Sequence, residues 1–171
     1  MRYIHKANEF LVLGGNTTLT MALETFQKYS TEPGFKYLRS LAKHIDLVAN
    51  VPVRNIGSIA GNLMIKHTHN EFPSDIFLIL ETTGTQLHIL EGSGRKQSVS
   101  LLEFLTIDMY HKIIYSVVLP PISDEYEYRS YKIMPRAQNA HAHVNAGFLF
   151  KLCSRGTVTE QFIFVCFAII Y

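Results

Sequence analysis

The 171 residues are 47% apolar and 12% aromatic, which suits one packed domain, or one with a small second, and excludes a disordered chain. A formal charge of +2 without any basic run argues against a nucleic-acid partner, and the longest apolar run, 162–171, is about half of the roughly 20 residues a bilayer helix needs. The opening MRYIHKANEF has no apolar signal core, and two cysteines, Cys153 and Cys166, suit a reducing compartment, so a cytoplasmic protein is expected.

Leu19, Leu23 and Phe26 recur at helical spacing and predict a short amphipathic helix over 18–29, broken by TEPG at 31–34. Phe35, Leu38, Leu41, Ala42, Ile45 and Val48 predict a second helix that ends near Asn50, before Pro52. The stretch 54–75, RNIGSIAGNLMIKHTHNEFPSD, fits neither period. Ser74 or Asp75 can cap a helix over 76–83, with Gly84 as its left-handed stop. TQLHIL (85–90) and KQSVSL (96–101) flank EGSGR as a hairpin. Ile113–Leu119 reads as an apolar strand closed by Pro120 and Pro121. Beyond a seam near 120–126, the segments 128–134, 142–152 and 161–170 predict three longer strands, the last two joined at SRGT. Cys153 and Cys166 could face each other there. The sum is an α+β chain.

The run Gly57, Ser58, Ile59, Ala60, Gly61 holds one large side chain. Such a run lets backbone N–H groups approach phosphate or a flat ring, with the Asn62 amide beside them. A tight turn would need the same glycines, and spacing alone leaves both readings open. LVLGGNTTLT (11–20) sits where phosphate loops occur, but it lacks a Walker lysine and GxGxxG spacing. A strand-to-helix turn capped by Asn16 or Thr17 is the simpler reading. His67-x-His69 with Glu71 offers a partial metal ligand set without a CxxC or HExxH partner, and His141-x-His143 is a second loose pair; polar surface loops explain both. Asp75 reads as a helix cap, and Lys132 and Arg136 as solvated cations.

RNIGSIAGN followed by a Ser-Asp pair resembles the flavin-binding domain of xanthine dehydrogenases and aldehyde oxidases. The lengthened KHTHNEFPSD is most similar to insect aldehyde oxidases. The resemblance continues through VLPPISDEYEYRSYKIMPRAQNAHAHVNAGFLF and covers about 11–166. It implies the second subdomain of a two-subdomain (PCMH-type) FAD-binding domain over 1–121, then the start of a C-terminal flavoprotein subdomain, truncated, over 122–171. It also implies FAD as cofactor. Ser58, Ile59, Ala60, Gly61 and Asn62 would wrap it, Asp75 would touch it from a helix start, and Ile114 would pack on it. Lys132 would lie near the flavin ring, where a cation stabilises a reduced, anionic flavin. In that family electrons pass from molybdenum through two iron–sulfur clusters to FAD, in homodimeric enzymes.

The departures shape the rest of the expectation. LGGNT matches the turn that opens the second subdomain rather than the family's pyrophosphate loop. The iron–sulfur cysteine clusters and the molybdopterin domain are missing. A fragment is therefore expected, inactive alone, with full-length oxidase subunits as possible partners. Two other classes stay open: a non-enzymatic interaction protein, and a small metal-binding protein using His67 and His69.

Overall fold

The computed structural model describes residues 2–7, 9–137, 139–152 and 158–167. Five strands form one antiparallel sheet: β1 (Ile4–Ala7), β2 (Phe10–Gly14), β3 (Gln86–Glu91), β4 (Lys96–Ser100) and β5 (Lys112–Leu119), in the order β1-β2-β5-β3-β4. The apolar strand KIIYSVVL is central because both of its neighbours can supply a matching buried face. Leu11, Leu13, Leu87, Ile89, Val117 and Leu119 are all fully buried. This alternation fixes the register, since a one-residue slip would turn every one of them to the other face. An irregularity opposite His88 and Ile89 leaves Tyr115 unpaired in the β3–β5 ladder and keeps Ile114 in the same core.

A second sheet, β6 (Tyr126–Ile133), β7 (Val144–Leu152) and β8 (Val158–Phe167), runs in sequence order. The change of sheet falls at 120–125. Helices α1 (Leu19–Tyr29), α2 (Leu38–Asp46), α3 (Val51–Ile56), α4 (Ile59–Thr68), α5 (Asp75–Thr82) and α6 (Leu101–Phe104) complete the described fold. α2 packs on β6, and α5 packs on β7 and β8. Leu41, Ile45, Ile76 and Ile79 of these helices share one core with the five-stranded sheet and with Tyr128 and Leu149 of the second sheet. The fold is α+β, as expected.

Oxygen side chains start most of the helices. Thr18, Asn50, Ser58 and Ser74 each accept a hydrogen bond from the N–H three residues on, worth about 1 kcal/mol apiece. Ser100 and Glu103 form a reciprocal capping box, which is why the strand expected to reach residue 101 gives way to α6. The first helix is capped by Thr18, which is extended and accepts from the Met21 N–H, and not by Asn16 or Thr17; the Thr17 N–H closes a turn on the Gly14 carbonyl. The helix expected over 35–50 contracts to 38–46, and Gly84 takes the expected left-handed conformation (φ 66°).

The main correction concerns 54–75, which is largely helical. Asn50 caps α3 with Pro52 in its first turn, and Ser58 caps α4. The period is masked because α3 buries only Arg54. In α4 the buried stripe is Ile59, Leu63 and Lys66, so its third member is charged. The Lys66 ammonium is satisfied by the Asn70 carbonyl. A pairing of Cys153 with Cys166 lies outside the described residues.

Candidate functional site

The turn after β2 and the start of α4 are stitched together by backbone. Leu19 N–H donates to Gly57 O at 2.9 Å, Ile59 N–H to Thr17 O at 3.0 Å and Ala60 N–H to Gly15 O at 3.0 Å. Gly61 N–H donates to Ser58 Oγ at 3.1 Å and Asn62 N–H to Ser58 O at 3.1 Å. The first four N–H groups of α4 therefore have partners within the chain. Of the two readings that spacing left open, a free anion-binding nest at 58–62 is therefore not the one formed.

What the stretch presents instead is a low wall between two cavities. One, of about 610 Å³, is lined by Gly57, Ser58, Gly61, Asn62, Asp75 and Lys132, with Leu19, Val53, Ile56, Ile65, Phe72 and His141 supplying much of its apolar and aromatic surface. The other, about 270 Å³, lies across Ser58 and Gly61 and is bounded by Gly15, Asn16, Ala60 and Ile114. Gly61 is exposed, and a Cβ there would meet only Ser58 Oγ, at 3.1 Å. Packing among the described residues does not require a glycine at this point.

The larger cavity has one charged corner. The Asp75 carboxylate, at the first position of α5, accepts from Lys132 Nζ at 2.8 Å on Oδ2. Its Oδ1 accepts from Asn145 Nδ2 at 2.9 Å and from His44 Nε2 at 3.3 Å. Lys132 also donates to the Leu47 carbonyl at 3.2 Å, and His44 Nδ1 lies 3.0 Å from Ser130 Oγ. His44 and Asn145 are buried, and the Lys132 side chain is 1% exposed. Burial by itself would raise the Asp75 carboxyl, but the His44 hydrogen bond and the Lys132 charge outweigh it and hold the group below the usual carboxylate range.

Six of the eight residues picked out in the sequence thus share the larger cavity or its wall: Ser58, Ala60, Gly61, Asn62, Asp75 and Lys132. Asn62 Oδ1 accepts from Ser74 Oγ at 2.6 Å, which ties α4 to the cap of α5. Ile114 bounds the smaller cavity from the core, 6% exposed, while its neighbour Ile113 is 48% exposed. Ile59 does not belong with them. Its side chain is 2% exposed within the core and its N–H is bonded to Thr17, so it borders neither cavity. Lys132 is a buried ion-pair partner and not a solvated rim cation, whereas Arg136 is exposed.

Sequence reading missed His44, Ser130 and Asn145. A signal was present: His44 interrupts the buried stripe Leu38, Leu41, Ala42, Ile45 of α2, and Asn145 interrupts the apolar strand VNAGFLF. The pair His67 and His69 does not converge. His67 Nε2 lies 2.7 Å from the Ile107 carbonyl and the ring packs on Phe104, while exposed His69 faces Glu71. Among the described residues no group of three or more His, Cys, Asp or Glu side chains could hold a metal ion.

Residues 1–122 match the model of the FAD binding domain in molybdopterin dehydrogenase. Abscisic-aldehyde oxidase of Arabidopsis thaliana is 29% identical over 98% of this chain and 13% of its own length. An indole-3-acetaldehyde oxidase of the same plant is 28% identical over 87% of this chain and 12% of its own. Among solved structures, a carbon monoxide dehydrogenase from Hydrogenophaga pseudoflava superposes with a TM-score of 0.79 at 18% identity, covering 96% of this chain and 55% of that one. Quinoline 2-oxidoreductase from Pseudomonas putida 86 gives 0.71 at 21%. The chain spans about an eighth of the length of these curated relatives and about half of these solved chains.

Proposed function

The chain belongs to the family of FAD-binding domains of molybdopterin dehydrogenases, and from that premise we propose that it is an electron-transfer module of an aldehyde oxidase-like oxidoreductase. The observation that carries the reading is the low wall at Ser58–Gly61 between two cavities, with the Asp75–Lys132 corner on one side. A flat, partly apolar cofactor with polar edges fits such a cleft. Ser58, Ala60, Gly61 and Asn62 would lie against it from α4, Ile114 from below the smaller cavity, and Lys132 beside the ring, with Asp75 as the ammonium's counter-ion. FAD when bound supplies the capacity to take up and pass on electrons. The chain's own part is to orient the rings, exclude water and offer a fixed cation. Residues 1–121 would form the family's second FAD-binding subdomain and 122–171 the beginning of its C-terminal flavoprotein subdomain. The compartment would be the cytoplasm; among the described residues no helix is long and apolar enough to cross a membrane.

Two cysteines are too few for the two cysteine-ligated iron–sulfur clusters of such oxidases, each of which takes four. This chain alone should therefore not oxidise aldehydes, and it would act within, or beside, full-length oxidase subunits like those of the family's dimeric enzymes. Protein contact as a second reading is favoured by one observation. Val53, Ile56 and Ile65 stand exposed where they line the cavity, Ile56 at 79%, and exposed apolar clusters mark interaction surfaces. An equilibrium titration tests the flavin reading. FAD added to the full chain should lose fluorescence saturably and shift the amide resonances of Ser58, Gly61 and Asn62. FAD that leaves those resonances in place would remove the basis for it.

A further inference from the structure

The Asp75 corner is built more heavily than an ion pair needs. Two groups that do not line the cavity, His44 and Asn145, both hold Oδ1, which leaves Oδ2 for the Lys132 ammonium. The same helix, α2, anchors both members of the pair. His44 in its last turn holds Asp75, and the carbonyl of Leu47, the residue that closes it, accepts from Lys132. Facing a carboxylate, His44 Nε2 carries a proton, and Nδ1 is hydrogen-bonded to the Ser130 hydroxyl at 3.0 Å. That second bond fixes the ring's rotation.

Stability alone does not account for this arrangement. A buried ion pair with its satellites is often no more stabilising than apolar side chains of the same volume. Asn145 Oδ1, in addition, is buried with no hydrogen-bond partner among the described residues, which is a cost. What the network does achieve is definition. With Oδ1 fixed from two sides, the carboxylate has one orientation, and the Lys132 nitrogen has one place on the cavity wall. We infer that His44 is a positioning residue, which orients Asp75 so that the Lys132 ammonium is held where a bound flavin ring meets it. This rests on the flavin reading above.

Three variants of the full chain, with Lys132→Met as a fourth for comparison, test it by two readouts: FAD affinity from fluorescence quenching, and the titration of the Asp75 carboxyl followed by its carbon resonance in the flavin-free protein. His44→Leu keeps volume and removes the donor, His44→Gln keeps an amide donor, and Ser130→Ala frees the ring while leaving α2 untouched. His44→Leu should raise the Asp75 titration and weaken FAD about tenfold or more, the scale of one lost charge-assisted hydrogen bond. His44→Gln should restore both, and Ser130→Ala should move both in the same direction by less. If His44→Leu does not fold, Ser130→Ala decides: a raised Asp75 titration with weaker FAD supports the inference, and wild-type values overturn it. His44→Leu and His44→Gln weakening FAD equally would show that only packing matters and would overturn it as well. So would a His44→Leu protein that binds FAD like the wild type while Lys132→Met binds it poorly. If the wild-type chain itself fails to bind FAD, the flavin reading falls first and takes this inference with it.

Discussion

Gly15 and Gly61 sit on either side of one backbone hydrogen bond, Ala60 N–H to Gly15 O, yet they are small for different reasons. At Gly15 a Cβ would collide with the Ile114 carbonyl oxygen and crowd the Ala60 side chain. Glycine there lets the turn after β2 lie directly on β5. At Gly61 a Cβ would meet, among the described residues, only the Ser58 hydroxyl, and the residue is exposed to the cleft. One glycine is explained by packing among the described residues and the other is not, and only the second borders the cleft proposed to take the cofactor.

The largest effect that would sharpen this contrast is Gly15→Ala. Overpacking against rigid backbone should cost about 3 kcal/mol, read as a lower denaturation midpoint at unchanged slope. If the midpoint stays within the error of wild type, the turn is not seated on β5 as described.

A second effect concerns the charged corner, which shares the cleft with Gly61. The folded-state titration of Asp75 lies below its ordinary value. Its contribution to stability is therefore fully present above the ordinary aspartate range and is lost as pH falls through the depressed value. Acid unfolding should be steeper in the wild type than in Asp75→Asn, which lacks the titrating group. Identical acid limbs in the two proteins would count against an ionised, paired Asp75.

The smallest effect is expected from the histidines once set aside as metal ligands. His67→Ala with His69→Ala should cost about 1 kcal/mol of stability, from the lost Ile107 contact. FAD affinity should be nearly unchanged, because neither ring lines the two cavities. A large loss of affinity would place the cofactor elsewhere.

Much of the fold was legible because its elements obey simple periods. β5 with its closing prolines, the α5 start at Ser74 and the left-handed stop at Gly84 all formed as the residues imply. The stretch 54–75 was not legible, since α4 buries a lysine in its apolar stripe and α3 buries only an arginine. Both cations are satisfied by carbonyls, Arg54 by those of Asp46 and Val48 and Lys66 by that of Asn70, and no sequence period reports such bonds. At the site, the small-residue run stood out, but the occupancy of its N–H groups depends on the Gly15–Thr17 turn some 40 residues earlier. His44 and Asn145 were hidden for a similar reason: a lone polar residue in an apolar stripe shows that something is paired there, but not with what.

The central claim is that Gly61 is small for a cofactor's sake, and Gly61→Val tests it most directly. Relieving the Ser58 contact should cost about 1 kcal/mol, partly offset because valine suits a helix better than glycine, so the protein should remain folded. FAD affinity should nonetheless fall by about a hundredfold or more, because a β-branched side chain would stand in the space between the two cavities. Folded Gly61→Val that binds FAD like the wild type would mean that the small-residue run is only a turn.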